Sequence, residues 1–220
     1  MELQDAVRER HTIRAFLPDP IPRGPIEKIV DVARWAPSWG NTQPWEIVAA
    51  DGEKVRELGR ALGEATAEGR APNPDLPIPD EWPEPHKARY VQLGRGLLTK
   101  LGIRREDGEA RRRHYVQMAR FFGAPTALYL CIDARLNAPY ACLDLGSIGT
   151  TICYLAREEG LGSTYLAASM LYPDLVRAIL GIPADKKIVI GIALGLPDPE
   201  APGSLFRAER AARNEILRFA

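Results

Sequence analysis

Strands that alternate with helices, in a chain where helix predominates, predict an α+β or α/β protein built on one central sheet. Two runs carry the sheet: Thr126 to Ile132 is a compact apolar segment of strand length, and Lys187 to Leu194 is rich in β-branched residues. Apolar residues elsewhere recur every three or four positions, the helical spacing. A length of 220 residues allows one large domain or at most two small ones. With 45 % hydrophobic and 26 % charged residues, disorder and low-complexity architecture are excluded. A chain of this size buries roughly 70–75 % of the surface its unfolded form exposes.

The elements follow in order. Leu3, Ala6 and Val7 mark a short first helix. Pro25 is a helix start signal, and Ile26, Ile29, Val30 and Ala33 continue the apolar spacing towards an end near Ala36-Pro37. Trp45 to Ala50 reads as a strand and Val55 to Ala67 as a helix. Six of the fourteen residues from Pro72 to Pro85 are proline, which removes amide donors and excludes regular helix or central strand. Two helical segments follow, about Ala88 to Leu101 and Glu109 to Phe122. The whole stretch reads as an excursion from the core, a lid or pocket wall in which Leu76, Ile78 and Trp82 supply packing.

Tyr140 to Glu159 is apolar nearly all round and closes with Gly160, as a buried central helix does. Ser163 to Ala167 is a short strand and Pro173 to Leu180 a short helix. The glycine pair Gly191 and Gly195 lies inside the last strand, where it indicates close packing and not phosphate binding. Prolines at 197, 199 and 202 predict an extended tail.

Several function classes drop out. Lys plus Arg number 29 and Asp plus Glu number 29, so the +0 net charge lacks the footprint of phosphate-driven nucleic-acid binding. The acidic start has no secretory signature, and the longest apolar run, Ile188 to Leu196, falls short of the ~20 residues of a spanning helix. No membrane partner is expected, and cytoplasm is the expected compartment. Cys131, Cys142 and Cys153 are an odd set without CxxC spacing, so they read as buried small apolar side chains. No P-loop, GxSxG, HExxH or strand-following GxGxxG is found. His11, His86 and His114 suggest neither a metal site nor a triad. Chemistry by side chains alone is disfavoured, and a cofactor is the natural alternative.

Two clusters stand out. In Arg10-His11-Thr12-Ile13-Arg14-Ala15-Phe16 two guanidinium groups flank a hydroxyl, many donors for one acceptor-rich ligand. Solvated arginines favoured by a helix C-terminus are the other reading of the same residues. In Ala36-Pro37-Ser38-Trp39-Gly40-Asn41-Thr42-Gln43-Pro44-Trp45, turn chemistry explains the prolines, glycine and asparagine. Amide and hydroxyl groups beside two tryptophans suit an aromatic heterocycle.

These paired motifs, in this order and spacing, resemble the FMN-dependent nitroreductase family. Further matches are Glu158 to Leu166, the strand Ile188 to Gly195 and the tail Phe206 to Arg210. The resemblance implies an α+β fold with a central, mostly antiparallel sheet surrounded by helices, in an intertwined homodimer with FMN at the subunit interface. It implies one FMN-binding domain over residues 1–220, with the excursion at about 68–122 as pocket wall or lid. Carried over residue by residue, Arg10, His11, Thr12 and Arg14 contact FMN, with Thr12 where the family usually has Ser. Pro37, Ser38 and Asn41 reach the flavin from the second subunit. Ala167 and Ala168 offer backbone to the flavin N5, and Arg207 and Arg210 hold the phosphate. Gln117 is the mid-chain candidate contact.

The implied activity is ping-pong transfer of hydride through flavin N5, from NADH or NADPH to a small-molecule acceptor: a nitroaromatic, quinone or activated alkene. The catalytic group is then the flavin, with Arg14 tuning it. A reductive dehalogenase, a flavin-fragmenting enzyme of the same superfamily and a non-catalytic flavin-storage protein are the alternatives. Trp39, Trp82, Tyr90 and Phe121 are either pocket aromatics or packing residues. The arginines at 89, 95, 104, 105 and 111–113 are either selectors of a carboxylated acceptor or a solvated face balanced by Glu106, Asp107 and Glu109.

Overall fold

Four antiparallel strands form one sheet in the order β1-β2-β4-β3: β1 (Glu46–Asp51), β2 (Thr126–Asp133), β3 (Gly162–Leu166) and β4 (Lys186–Gly195). The structure, a computed structural model, describes residues 2–220. Helices are α1 (Leu3–Glu9), α2 (Arg23–Ala33), α3 (Gly52–Ala67), α4 (His86–Lys100), α5 (Gly108–Ala119), α6 (Ala138–Glu158), α7 (Pro173–Leu180), α8 (Pro202–Leu205) and α9 (Arg213–Ile216). The class is α+β with one antiparallel central sheet, as the sequence predicts.

Alternation along β2 divides the core into two layers. Ala127, Tyr129 and Cys131 face one way and pack with Val55, Leu58 and Leu62 of α3 and Val176 of α7. Leu128, Leu130 and Ile132 face the other way, onto Ile29 of α2 and Leu145, Ile148 and Ile152 of α6. A bulge opposite Leu130/Cys131 leaves Val189 unpaired with β2. One extra residue reverses the facing of everything beyond it. Ile188 therefore joins the first layer and Ile192 the second, although an even spacing in a regular strand would place both on one side.

Both glycines of β4 sit where a side chain has no room. A Cβ at Gly191 would lie 2.3 Å from Ser169 Oγ, and one at Gly195 would lie 2.7 Å from the Phe16 ring. Cys131 and Cys153 are buried, and burial pushes their thiols up to about 12 and about 11. Cys142 departs from expectation in being only half-buried.

Some element ends differ from prediction. Helix α5 stops at Ala119, not at Phe122, because Phe121 and Phe122 take left-handed φ of 58° and 54°. Such conformations cost roughly 1–2 kcal/mol per residue. The gain is burial of both rings, with Phe121 against Gly59 of α3. The same break lets the Phe122 carbonyl accept from Phe16 N–H at 3.3 Å. The tail is extended except for the single turns α8 and α9. The Pro-rich stretch lacks regular structure as predicted, and Asp75 ties it down by accepting from Arg177 at 2.6 Å and from the Ile188 N–H at 2.7 Å.

Candidate functional site

Residues 10–16 form a strap along the free edge of β3. Thr12 bridges Ser163 in parallel, Ile13 N–H donates to the Ser163 carbonyl at 3.1 Å, and Thr164 Oγ1 donates to the Ile13 carbonyl at 2.8 Å. The strap thereby caps a sheet edge that would otherwise expose unpaired backbone groups. Its other side is clamped by the C-terminal segment. Asp198 N–H and Ser204 Oγ donate to the Ala15 carbonyl at 3.1 and 2.9 Å. A Cβ at Gly203 would lie 3.1 Å from Arg14, so this approach favours glycine.

His11 is used up by the scaffold. Its ring nitrogens lie 2.8 Å from the Glu9 carbonyl and 2.7 Å from the Ser204 carbonyl. In this placement both ring nitrogens face scaffold carbonyls, so the ring links the strap to the tail.

Arg14 is different. Its guanidinium is half-buried, lies 5.7 Å from the Phe206 ring centroid and makes one long bond, 3.4 Å, to the Thr12 carbonyl. No carboxylate pairs with Arg10 or Arg14 among the described residues. Burial pulls the Arg14 pKa below its ordinary value, and the group stays charged. A partly desolvated guanidinium that no carboxylate neutralises is free to take an acceptor-rich ligand. The donor set therefore fits the pyrimidine oxygens and phosphate of a flavin mononucleotide.

Beside Arg14 lies a residue the sequence analysis did not place here. His114 of α5 has its pKa lowered by burial and then by Arg14, and its ring stacks obliquely on Phe122, 5.8 Å between centroids. Gln117 is three residues further along α5, on the same helix side, and is exposed.

Strand β3 delivers the turn Ala167–Met170 to this region. Ser169 is fully buried and its hydroxyl donates to the Leu166 carbonyl at 2.7 Å, fixing the turn that carries Ala167 and Ala168. Ala168 lines a cavity of about 430 Å³ between α5 and this turn. No cluster of metal-ligating side chains exists among the described residues.

Residues 37–43 lie elsewhere. Asp144 of α6, a buried carboxylate, accepts from the Trp39 N–H at 3.1 and 3.3 Å, and Ser38 Oγ accepts from the Gln43 N–H at 3.0 Å. Gly40, Asn41 and Gln43 have φ of 56°, 56° and 46°. At the far end of α6, Arg157 donates to Glu9 of α1 at 2.7 Å. Thirteen helical residues separate Asp144 from Arg157, about 20 Å. No hydrogen bond or ion pair among the described residues joins the loop bearing Pro37, Ser38 and Asn41 to the strap. Near the loop end of α6 Leu143 is 71 % exposed, and the Trp39 ring meets Tyr140 edge-on at 4.2 Å.

The two tail arginines part company. Arg207 donates to the Arg8 carbonyl at 3.1 Å, beside the strap, whereas Arg210 bonds only the neighbouring Ala208 and Glu209 carbonyls. Both line a groove of about 400 Å³ against α4. Of the four candidate pocket aromatics, Phe121 is core, while Trp39, Trp82 and Tyr90 are exposed and the last two stack at 6.0 Å.

Sequence and structure comparisons agree with this geometry. The nitroreductase family model matches residues 7–196, and the chain belongs to that family. It is 34 % identical to a 4-nitrobenzoate reductase of Pseudomonas putida over 97 % of this chain and 93 % of the relative. The nitroreductase NfnB of Mycolicibacterium smegmatis is 31 % identical, over 97 % and 90 %. Among solved structures, the FMN-dependent nitroreductase NfnB from Mycobacterium smegmatis in complex with NADPH superposes with TM-score 0.93 at 30 % identity, covering 99 % of this chain and 97 % of that one. No helix among the described residues is long and apolar enough to cross a membrane.

Proposed function

We propose that the chain is an FMN-dependent NAD(P)H oxidoreductase that reduces nitroaromatic acceptors, working as a homodimer in the cytoplasm. The observation that carries this is Arg14: a half-buried guanidinium without a carboxylate, held by the strap beside the β3 turn. Relatives named as nitroreductases along nearly the whole chain, and structures described as FMN- and NADPH-dependent, support the cofactors and the acceptor class.

When bound, FMN supplies two-electron chemistry between a reduced nicotinamide and the acceptor. The chain's own residues bind and orient. Arg14 offers a fixed positive charge to the pyrimidine oxygens, where it stabilises added negative charge. Arg10 and Arg207 suit the phosphate, each charge-assisted bond contributing roughly 1.5–3 kcal/mol. Thr12 supplies a hydroxyl at the same face. Ala167 and Ala168 present backbone and no reactive side chain, so nothing there competes with the cofactor. Arg210 is a phosphate contact only if its exposed side chain swings from the tail.

Two features support the dimer. The loop bearing Ser38 and Asn41 is held to α6 and makes no hydrogen bond to the strap among the described residues, which fits a site shared between two copies. Trp39, Tyr140 and Leu143 form an exposed apolar patch next to that loop, of the kind that marks protein–protein contact. The chain then acts as a single FMN-binding domain, with residues 68–122 as a wall of the pocket.

The test is anaerobic stopped-flow on yellow, FMN-loaded protein. NADH or NADPH should bleach the flavin absorbance, and a nitroaromatic should restore it. Absorbance that stays unchanged with both nicotinamides would refute the oxidoreductase reading and favour a storage protein. Release of halide from haloaromatics without nitro reduction would favour a dehalogenase.

A further inference from the structure

Three consecutive arginines on α5 have three different surroundings. Arg113 reaches outward and pairs with Glu109 one turn back, as a solvated helix face does. Arg111 and Arg112 instead line the 430 Å³ cavity beside Ala168, with Tyr115, Met118 and Leu171. Nothing acidic lines it, and neither arginine has a carboxylate partner among the described residues. Arg112 is tethered to the Ala67 carbonyl at the end of α3. Arg111 makes a single long bond, 3.4 Å, to the Arg105 carbonyl, and its Nε is buried without any partner.

A buried guanidinium N–H left unbonded is costly. Nε itself is closed off, so what Arg111 offers an anion in the cavity is its terminal nitrogens, which make only the long bond to Arg105. The cavity volume is within the roughly 300–1,000 Å³ typical of small-molecule sites, and Met118, Leu171 and the Tyr115 ring make its remaining wall apolar. An apolar wall with guanidinium groups at one end matches a flat aromatic acid. We propose that this cavity selects carboxylated nitroaromatic acceptors, with Arg111 binding the carboxylate and Arg112 beside it. The proposal rests on the acceptor-reducing function above and adds the substrate class.

Wild-type and Arg111→Met proteins, both loaded with FMN, are compared on 4-nitrobenzoate and 4-nitrotoluene, which differ in charge but little in size. Binding of benzoate, which has no reducible group, is measured in parallel by calorimetry. The kcat/KM ratio of the acid to the neutral compound should fall about 10- to 100-fold in Arg111→Met, with benzoate weakened by a similar factor. Arg111→Lys, which keeps charge but loses the fork, should fall between and serves if the methionine variant does not fold. Equal loss on both acceptors, or benzoate binding indifferent to Arg111, overturns the proposal while nitro reduction stands. Arg111-dependent benzoate binding in a protein that reduces neither compound keeps the anion site and overturns the acceptor role.

Discussion

The strap at residues 10–16 and the loop at 37–43 were the two motifs most visible in the sequence, and the fold treats them in opposite ways. The strap is sewn to both sides: β3 takes its backbone on one flank, Ser204 and Asp198 on the other, and Arg10 and Arg14 have no carboxylate partner among the described residues. The loop is exposed, carries three residues at positive φ, and is held to the body through the Asp144 carboxylate. The contrast fits the proposed homodimer, in which one copy would contribute the strap and the other the loop.

That division can be broken most severely at the patch. Leu143→Glu puts a charge on the exposed face of α6, in the apolar patch beside the loop that bears Ser38 and Asn41. In the proposed dimer it should dissociate the subunits by at least about 100-fold and strip FMN with them, read by sedimentation and flavin absorbance. Retention of both dimer and flavin would make the patch an idle surface. Arg14→Ala attacks the strap instead. It should leave the dimer intact and weaken FMN by about 10- to 100-fold in a fluorescence titration. Arg210→Ala, at an exposed and locally bonded side chain, should weaken FMN only about two- to fivefold. Equal effects at Arg14 and Arg210 would deny the strap its special standing.

Asp144 sharpens the other side. Asp144→Ala removes the acceptor for the Trp39 N–H at a buried position, and should lower urea stability by about 1–3 kcal/mol. Asp144→Asn keeps an acceptor oxygen and should lose less. If the loop is what Asp144 serves, proteolytic cleavage should shift to residues 39–43 in the alanine variant, with the strap region unaffected.

What the sequence made legible follows from where the information is local. Strands β2 and β4 announce themselves because a buried strand is a continuous apolar run. The strap and loop motifs were readable through their resemblance to a family, not through composition, which left Arg10 and Arg14 open to a solvated reading. Asp144 escaped although its signal was present: it is the one charged residue from Ala138 to Ala156, set between Leu143 and Leu145. His11 looked like a contact because it sits between ligand-like neighbours, and only the tail crossing at Ser204 reveals its structural use. The arginine run 111–113 could not be resolved by spacing, since adjacent helical positions differ in facing and only the packing of α5 says which face is covered. The early end of α5 was hidden because Phe121 and Phe122 continue the helical pattern while adopting left-handed backbone for the sake of burial.

The smallest effect concerns the environment of the strap itself. His114 has its pKa held below the ordinary 6.5, by burial first and by Arg14 second. A histidine with a depressed folded-state pKa binds fewer protons than the unfolded chain in the window between the two values. Stability therefore rises with pH across that window and is lost on acidification below about 6.5. His114→Gln should flatten the slope of urea midpoint between pH 7 and pH 5, with little change at pH 8. Because Arg14 is one of the causes, Arg14→Ala should move the His114 midpoint upward in a proton NMR titration, part of the way back to 6.5. The loop offers a control: Asp144→Asn, which alters the loop's anchor and no bond of the strap, should leave that midpoint where it was. A His114 midpoint at or above 6.5 in the wild type, or one that ignores Arg14, would show that the strap does not press its charge on α5.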